Sequence, residues 1–173
     1  MAAPDKLEDA IAQQNGAYEP QRQFHWILRI PGIDGEKVLE LSLRSGALPN
    51  ESSEAIEIPI LNGKVFVAGK QMYETGAFTF NDYVDQDTMG LIGKWRDKIY
   101  NPKTLKMGYA KDYKKRGDLV LYGPDYTVER IWALVGIWPS AVNNGTLDYG
   151  ANEMVQVEVT FHYDRALREK GWV

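Results

Sequence analysis

Residues 54–69 read EAIEIPILNGKVFVAG, two apolar runs of β type joined by Asn62-Gly63. Asn-Gly between strand-like runs is a strong hairpin signal, because both residues accept the positive φ that tight turns require. With residue 61 opposite residue 64, one face of the hairpin is wholly apolar, comprising Ile56, Ile58, Ile60, Val65 and Val67. The other face mixes Pro59, Leu61 and Phe66 with polar residues. The sequence therefore predicts a hairpin that other surfaces cover on both sides.

Pro59 conflicts with the simplest version of this turn. A two-residue Asn-Gly loop makes residues 59 and 66 a hydrogen-bonded pair, yet proline has no N–H to donate. Either the loop is effectively four residues long, which turns the missing donor outward, or Pro59 marks an irregular edge. The assignment of residues to the two faces is the same in both arrangements.

Further strands are predicted on both sides of the hairpin by apolar residues that alternate with polar ones. These period-two patterns cover residues 22–30, 37–44, 76–83, 118–122, 127–137 and 154–164. Within residues 37–44 the alternation points Leu39, Leu41 and Leu43 inward. Residues 45–53 are polar and rich in turn formers, so we expect an exposed loop there. Trp138-Pro139 is expected to end the strand at 127–137.

One segment has a helical period. Asp85 is the expected N-cap of a helix at residues 85–99, whose apolar stripe comprises Thr88, Ile92, Trp95 and Ile99. The predicted fold class is mainly β, with two packed antiparallel sheets forming a sandwich or partial barrel. One α-helix at 85–99 flanks the sheets, and the hairpin at 54–69 protrudes.

The chain of 173 residues suits a single domain with a core of its own. We expect an N-terminal arm at residues 1–20, one β domain at 21–164 and a C-terminal tail at 165–173. The arm contains a short amphipathic turn with Leu7 and Ile11, and is either a mobile tail or a segment that orders on a neighbouring subunit. Trp172 in the tail is available to close over a neighbour.

No catalytic, cofactor or metal site is expected from the residue types. Cysteine is absent, the carboxylates are scattered, and no glycine pattern resembles a phosphate loop. His25 and His162 fall on the polar sides of their strands, where surface histidines are expected. No run approaches the ~20 apolar residues of a membrane helix. The net charge of −4 argues against general nucleic-acid binding, and the excess of apolar strand surface favours self-assembly.

Residues 100–117 form a basic segment without a clear period. Its lysines and interleaved tyrosines are compatible with nucleic-acid contact, but in an acidic chain a solvated loop or a match to an acidic partner protein is the preferred interpretation.

An ordered series of short motifs resembles the tail tube proteins of contractile-tailed bacteriophages. The series comprises Leu48-Pro49, Ile58-Pro59-Ile60, Val67-Ala68-Gly69, a helix bearing Trp95, Gly136-Ile137-Trp138-Pro139, Leu147-Asp148-Tyr149, Val157-Glu158-Val159-Thr160 and Tyr163-Asp164. It covers residues 22–164 in order. The resemblance implies two sheets flanked by a helix, assembled into hexameric rings that stack into the inner tail tube through which phage DNA is delivered.

The resemblance also implies contact residues in the hairpin and the loop before it, which are Leu48, Pro49, Pro59, Leu61, Asn62 and Phe66. Four water-facing residues are candidates for the tube lumen, or else coat the outer wall: Glu40, Gln156, Glu158 and Thr160. Carboxylates in the lumen repel DNA phosphates within about one Debye length, ~8 Å at physiological salt, so that DNA passes without specific binding.

Implied partners are the tail sheath, the baseplate tube initiator, the tape measure protein and the tail terminator. The implied location is the virion, after assembly in the host bacterial cytoplasm. Two alternatives remain. The same fold builds the inner tubes of type VI secretion and extracellular contractile injection systems, which carry protein cargo. A monomeric β-barrel binding module, from a different class, requires a concave polar pocket.

Overall fold

The computed structural model describes residues 20–170, which form eleven strands and three helices. The strands are β1 (Trp26–Arg29), β2 (Leu43–Gly46), β3 (Glu51–Ile60), β4 (Gly63–Tyr73), β5 (Gly76–Asn81), β6 (Tyr100–Asn101), β7 (Lys106–Met107), β8 (Lys115–Tyr122), β9 (Val128–Asn143), β10 (Gln156–His162) and β11 (Arg165–Lys170). The helices are α1 (Glu36–Ser42), α2 (Thr88–Ile99) and α3 (Ala110–Tyr113). No helix among these residues is long and apolar enough to cross a membrane.

Strand β9 belongs to both layers of the sandwich. Its first half pairs with β8 and β11, and its second half pairs with β10, so the hydrogen-bonded order is β1-β8-β9-β10-β5-β2 with β11 also on β9. Between the halves lies Gly136, whose φ of 71° suits glycine. A strand that bends in this way joins two packed antiparallel sheets at a corner. The mainly β, two-sheet prediction is confirmed.

The prediction that Trp138-Pro139 ends this strand is wrong. Trp138-Pro139 does not stop the strand; residues 138–143 continue as its second half, and Pro139 lies in register with Phe161 of β10. The pairing shifts at this point through an irregularity between Thr160 and Phe161, which accommodates a residue that lacks an N–H.

The core lies between the two layers and under helix α2. Phe78, Phe161, Val157 and Leu134 are among its fully buried side chains. The Trp95 ring of α2 lies 5.6 Å from that of Phe161, and its indole N–H donates to the Tyr113 carbonyl at 2.8 Å.

The flanking helix is confirmed, with a different cap. Thr88, Ile92, Trp95 and Ile99 are all buried, as the stripe predicts. The N-cap is Asp87, whose carboxylate accepts from the Gly90 N–H at 2.9 Å, not Asp85. The chain turns first, through a hydrogen bond from Asp87 N to Tyr83 O, so the helix begins at Thr88. Arg96 then fixes the helix to the bend of β9 by donating from Nη1 to the carbonyls of Pro139 and Ser140, each at 3.0 Å.

The prediction of a strand at residues 37–44 is wrong. Residues 36–42 form helix α1, and only the four residues of β2 are extended. Leu39 and Ser42, three positions apart, are buried, whereas Leu41, predicted to point inward, is 81% exposed. In so short a segment the leucines at every second position also match part of a helical stripe, and packing selected the helix.

Three other segments differ from expectation. Strand β3 begins at Glu51, inside the loop expected at 45–53. The basic segment at 100–117 holds the small β6–β7 hairpin, helix α3 and the start of β8. Residues 165–170, assigned to a tail, form β11 and pair with β9. The arm at residues 1–19 and Trp172 lie outside the described residues.

Candidate assembly surfaces

The hairpin is present with a register two residues away from the predicted one. Ile60 pairs with Gly63, and the loop is Leu61–Asn62 instead of Asn62-Gly63. Because side chains alternate with a period of two, a shift of two leaves every residue on its predicted face. Ile58 therefore lies across from Val65 and Ile56 across from Val67, all on the aliphatic face.

The observed register also removes the conflict at Pro59. Pairing alternates along an antiparallel hairpin, so if residues 60 and 63 exchange hydrogen bonds, residues 59 and 64 form the non-hydrogen-bonded pair. The position without an N–H then points away from β4. Beside it, the Lys64 ammonium lies 2.8 Å from the Glu57 carboxylate.

The residue of the turn with a left-handed backbone is Leu61, and not Asn62 or Gly63 as the sequence predicts. Leu61 has a φ of 49°, and neither Asn62 nor Gly63 has a positive φ. A left-handed conformation is unfavourable for leucine by roughly 1–2 kcal/mol. The Leu61 side chain is also fully exposed at the tip of the hairpin. A strained and exposed apolar residue is a reason to look for a function at that position.

Neither face of the hairpin is covered within the described chain. β3 and β4 form their own two-stranded sheet. The side chains of the aliphatic face are 41–53% exposed, and Phe66 on the opposite face is 61% exposed. An isolated two-stranded hairpin is only marginally stable in water, and apolar patches of this kind mark interaction sites. The predicted contact residues include Pro59, Leu61 and Phe66 of the mixed face but none of the aliphatic face, which is also open to a neighbour.

The base of the hairpin is tied to the sheets. Glu51 forms an ion pair with Arg168 of β11 and accepts from Gln71 Nε2 at 2.8 Å. Leu48 and Pro49 lie in the segment between β2 and β3, and Leu48 is exposed. The six predicted contact residues thus separate into a pair at the base and four, Pro59, Leu61, Asn62 and Phe66, in the distal half.

Three of the four lumen candidates share a surface. Gln156, Glu158 and Thr160 lie on the face of β10 opposite its buried residues. Their pairing partners on β5 are Asn81, Thr79 and Ala77. On the other side, Asn143 and Ala141 of β9 pair with Glu158 and Thr160. This β10 face is therefore built of small, mostly neutral side chains around one carboxylate.

Glu40 is not on this surface. It lies on helix α1, where its carboxylate is 3.4 Å from Nε of Arg29, and its side chain is only 20% exposed. Its assignment as a water-facing strand residue depended on the strand that the structure replaces with α1.

The two histidines differ. His162 is exposed and stacks on Trp138, with ring centroids 5.7 Å apart. His25 is half-buried against the Phe24 and Tyr126 rings, and its Nδ1 is buried without a hydrogen bond, so the expectation of a surface residue is wrong for it. Within residues 20–170 no group of three acidic or histidine side chains is arranged to hold a metal ion.

One known protein family matches nearly the whole of the described chain. A family model described as phage tail tube protein matches residues 20–169. No curated protein matches the chain by sequence.

Several solved structures share the fold. The cap that terminates the anti-feeding prophage tube gives a TM-score of 0.71 at 14% identity, over 88% of this chain and 93% of that one. The sheath–tube complex of an extracellular contractile injection system in its extended state gives 0.70 at 15% identity, over 91% and 97%. A type six secretion system protein gives 0.53 at 13% identity, over 82% and 80%.

Proposed function

Since the chain belongs to the phage tail tube protein family, we propose that it forms hexameric rings that stack into the inner tube of a phage tail, through which DNA reaches the host. The subunit is a structural protein of the tube. It acts by assembly and by the electrostatics of the tube wall, without a catalytic step.

The exposed hairpin is the observation that carries this proposal. It projects an aliphatic face, Phe66 and the strained Leu61 into solvent, with no covering element among residues 20–170. Fully burying one Val, Leu, Ile or Phe side chain contributes about 1.5–3 kcal/mol. Several half-exposed side chains of this kind therefore supply enough free energy to hold subunits of like charge together.

The sheet edges supply a means of closing a ring. β1 pairs only with β8 and β2 only with β5, so each has an unpaired edge within the described residues. A cleft of about 700 Å³ separates the two edges, lined by residues that include Trp26, Arg44, Leu121 and Trp132. Joining the free edges of neighbouring subunits into a continuous barrel satisfies their backbone groups and leaves no open edge to aggregate.

The β10 face is our candidate for the lumen wall. Its small side chains give DNA no cation to bind, and Glu158 supplies one carboxylate per subunit that repels phosphates at short range. This wall is less acidic than the four predicted lumen residues imply, because Glu40 is engaged with Arg29.

The partners follow from the same proposal. They are the sheath around the tube, the baseplate initiator below it, the terminator above it and the tape measure within. The proteins of similar fold include a sheath–tube complex, a baseplate and a tube-terminating cap. The subunit is assembled in the host bacterial cytoplasm and resides in the virion.

A second candidate is the inner tube of an extracellular contractile injection system, with protein as cargo. The similarity of fold to such a system and the nearly neutral β10 face favour it. Isolating intact particles and assaying their lumen for nucleic acid and for protein separates the two candidates.

Negative-stain microscopy of the purified protein tests the assembly itself. We expect ring-shaped top views with six-fold symmetry and striated side views of tubes. A protein that stays a 19.6 kDa monomer at every salt concentration contradicts the proposal and supports the monomeric binding module.

A further inference from the structure

The hairpin lies at one end of the sheet that β2, β5, β10 and the second half of β9 form. β2 leads into it after Gly46 and β5 leaves it at Gly76, and both ends are held together by hydrogen bonds from Ala47 N to Ala77 O and from Glu74 N to Asn50 O, each 3.1 Å long. β5 runs away from this end and finishes at Asn81, where it pairs with the first residue of β10, Gln156. The strands thus define an end with the hairpin and an opposite end.

Two loops form the opposite end, and both carry exposed apolar residues. Asp82 N donates to Val155 O at 2.9 Å, which brings the loop at residues 82–87 beside the loop at 144–155. Val84 and Tyr149 are fully exposed, and Leu147 and Met154 are more than half exposed. We call these four residues the end-loop surface.

The two ends of the sheet differ in charge. The loops at 82–87 and 144–155 contain five carboxylates and no lysine or arginine: Asp82, Asp85, Asp87, Asp148 and Glu153. In the distal half of the hairpin the charged residues are Lys64 and Glu57, which lie 2.8 Å apart as an ion pair and leave that half without net charge. Apolar contact between the hairpin tip of one copy and these loops on another is therefore not opposed by like charges.

We propose that the end-loop surface of one subunit receives the hairpin of a subunit in the next ring. This inference rests on the proposed tube and names the second surface of its ring-to-ring contact. Because the two surfaces lie at opposite ends of the sheet, the contact is head-to-tail and repeats without closing, as the stacking of rings requires.

Cysteine cross-linking tests the contact directly, because the natural chain has no cysteine. The double variants Leu61→Cys with Tyr149→Cys, and Leu61→Cys with Leu147→Cys, are assembled and treated with a short flexible bismaleimide. A subunit that donates its hairpin to one neighbour and its loops to another gives a ladder of dimers, trimers and longer species in denaturing gels. A mixture of the matching single variants stops at dimers.

The matched control is Leu61→Cys with Leu105→Cys. Leu105 is also an exposed leucine with a positive φ, 56°, but lies in the β6–β7 turn. Its ladder is expected to be at least tenfold weaker. The inference is overturned if tubes are visible by microscopy but the Tyr149 and Leu147 variants give no ladder, or if the Leu105 variant gives an equal ladder. Neither result contradicts the proposed tube. Absence of tubes and rings in the unsubstituted protein refutes the proposed function itself.

Discussion

Leu61 combines two unfavourable properties for the subunit alone, a left-handed backbone and a fully exposed apolar side chain. The neighbouring Asn-Gly could have taken the positive φ at lower cost. Both properties become understandable if the side chain is buried in another subunit. Stability and assembly are then expected to respond to substitution in opposite directions.

Leu61→Asn is expected to raise the free energy of unfolding of the subunit by up to about 1 kcal/mol, because asparagine tolerates the left-handed region. It is expected to weaken assembly about tenfold, because the apolar tip is lost. Urea titration measures the first quantity and sedimentation velocity the second. Leu105→Asn is the control, expected to relieve similar strain without any effect on assembly. Unchanged assembly in Leu61→Asn would place the contact elsewhere.

Tyr163 is expected to lower the free energy of unfolding at alkaline pH. Its ring is buried beside Tyr73, and burial raises the pKa of the Tyr163 phenol above its ordinary value of 10.0. Below that value both the folded and the unfolded chain hold the proton, and the stability is fully present. As the pH rises towards the folded pKa the unfolded chain ionises first, so the free energy of unfolding falls.

Tyr163→Phe is expected to make the fall in stability above pH ~10 shallower, because position 163 then has no phenol that ionises in the unfolded chain. Urea denaturation at a series of pH values measures the slope. Tyr149→Phe, at a fully exposed position, is the control and should keep the slope of the natural protein. Parallel curves for all three proteins would count against this explanation.

At the scale of the element, the β3–β4 hairpin is held at its base and uncovered along its length. The Glu51–Arg168 ion pair attaches it to β11, whereas β3 and β4 pair with no other strand among the described residues. A charge placed in the distal half should therefore leave the sandwich intact and affect only what the hairpin meets in another subunit.

Phe66→Glu is expected to give a folded subunit that no longer stacks, because a buried carboxylate without a partner is strongly unfavourable. Circular dichroism checks the fold and negative-stain microscopy the tubes. Ser53→Glu adds the same charge at the exposed base of the same hairpin and should assemble normally. Normal tubes from Phe66→Glu would show that this face is not in the interface.

At the scale of the whole molecule, assembly brings together subunits with a net charge of −4 each. Their mutual repulsion is screened by salt, since the Debye length falls from ~30 Å at about 0.01 M to ~3 Å at about 1 M ionic strength. The apolar contacts proposed here are not weakened by screening. The balance therefore shifts toward assembly as salt is added.

We expect the assembled fraction, measured by sedimentation velocity, to increase with sodium chloride over this range. Sodium sulfate, which also strengthens apolar contacts, should act at a lower concentration. Tubes that dissociate as salt rises would mean that ion pairs between subunits, and not the apolar hairpin, hold the assembly.

The sequence by itself determined what depends on local pattern. Alternation and helical period predicted the two-sheet fold, the buried stripe of α2 and the faces of the hairpin, because a period of two survives an error of two in register. It also supplied the apolar excess that indicated self-assembly.

Only the tertiary structure decided what depends on partners distant in the chain. Packing of Leu39 and Ser42 turned a predicted strand into α1 and removed Glu40 from the β10 face. The bend of β9 and the pairing of β11 depend on contacts across the fold. The end-loop surface is visible only in three dimensions, since the direction of the strands brings the loops that carry Val84 and Tyr149 to the same end of the sheet.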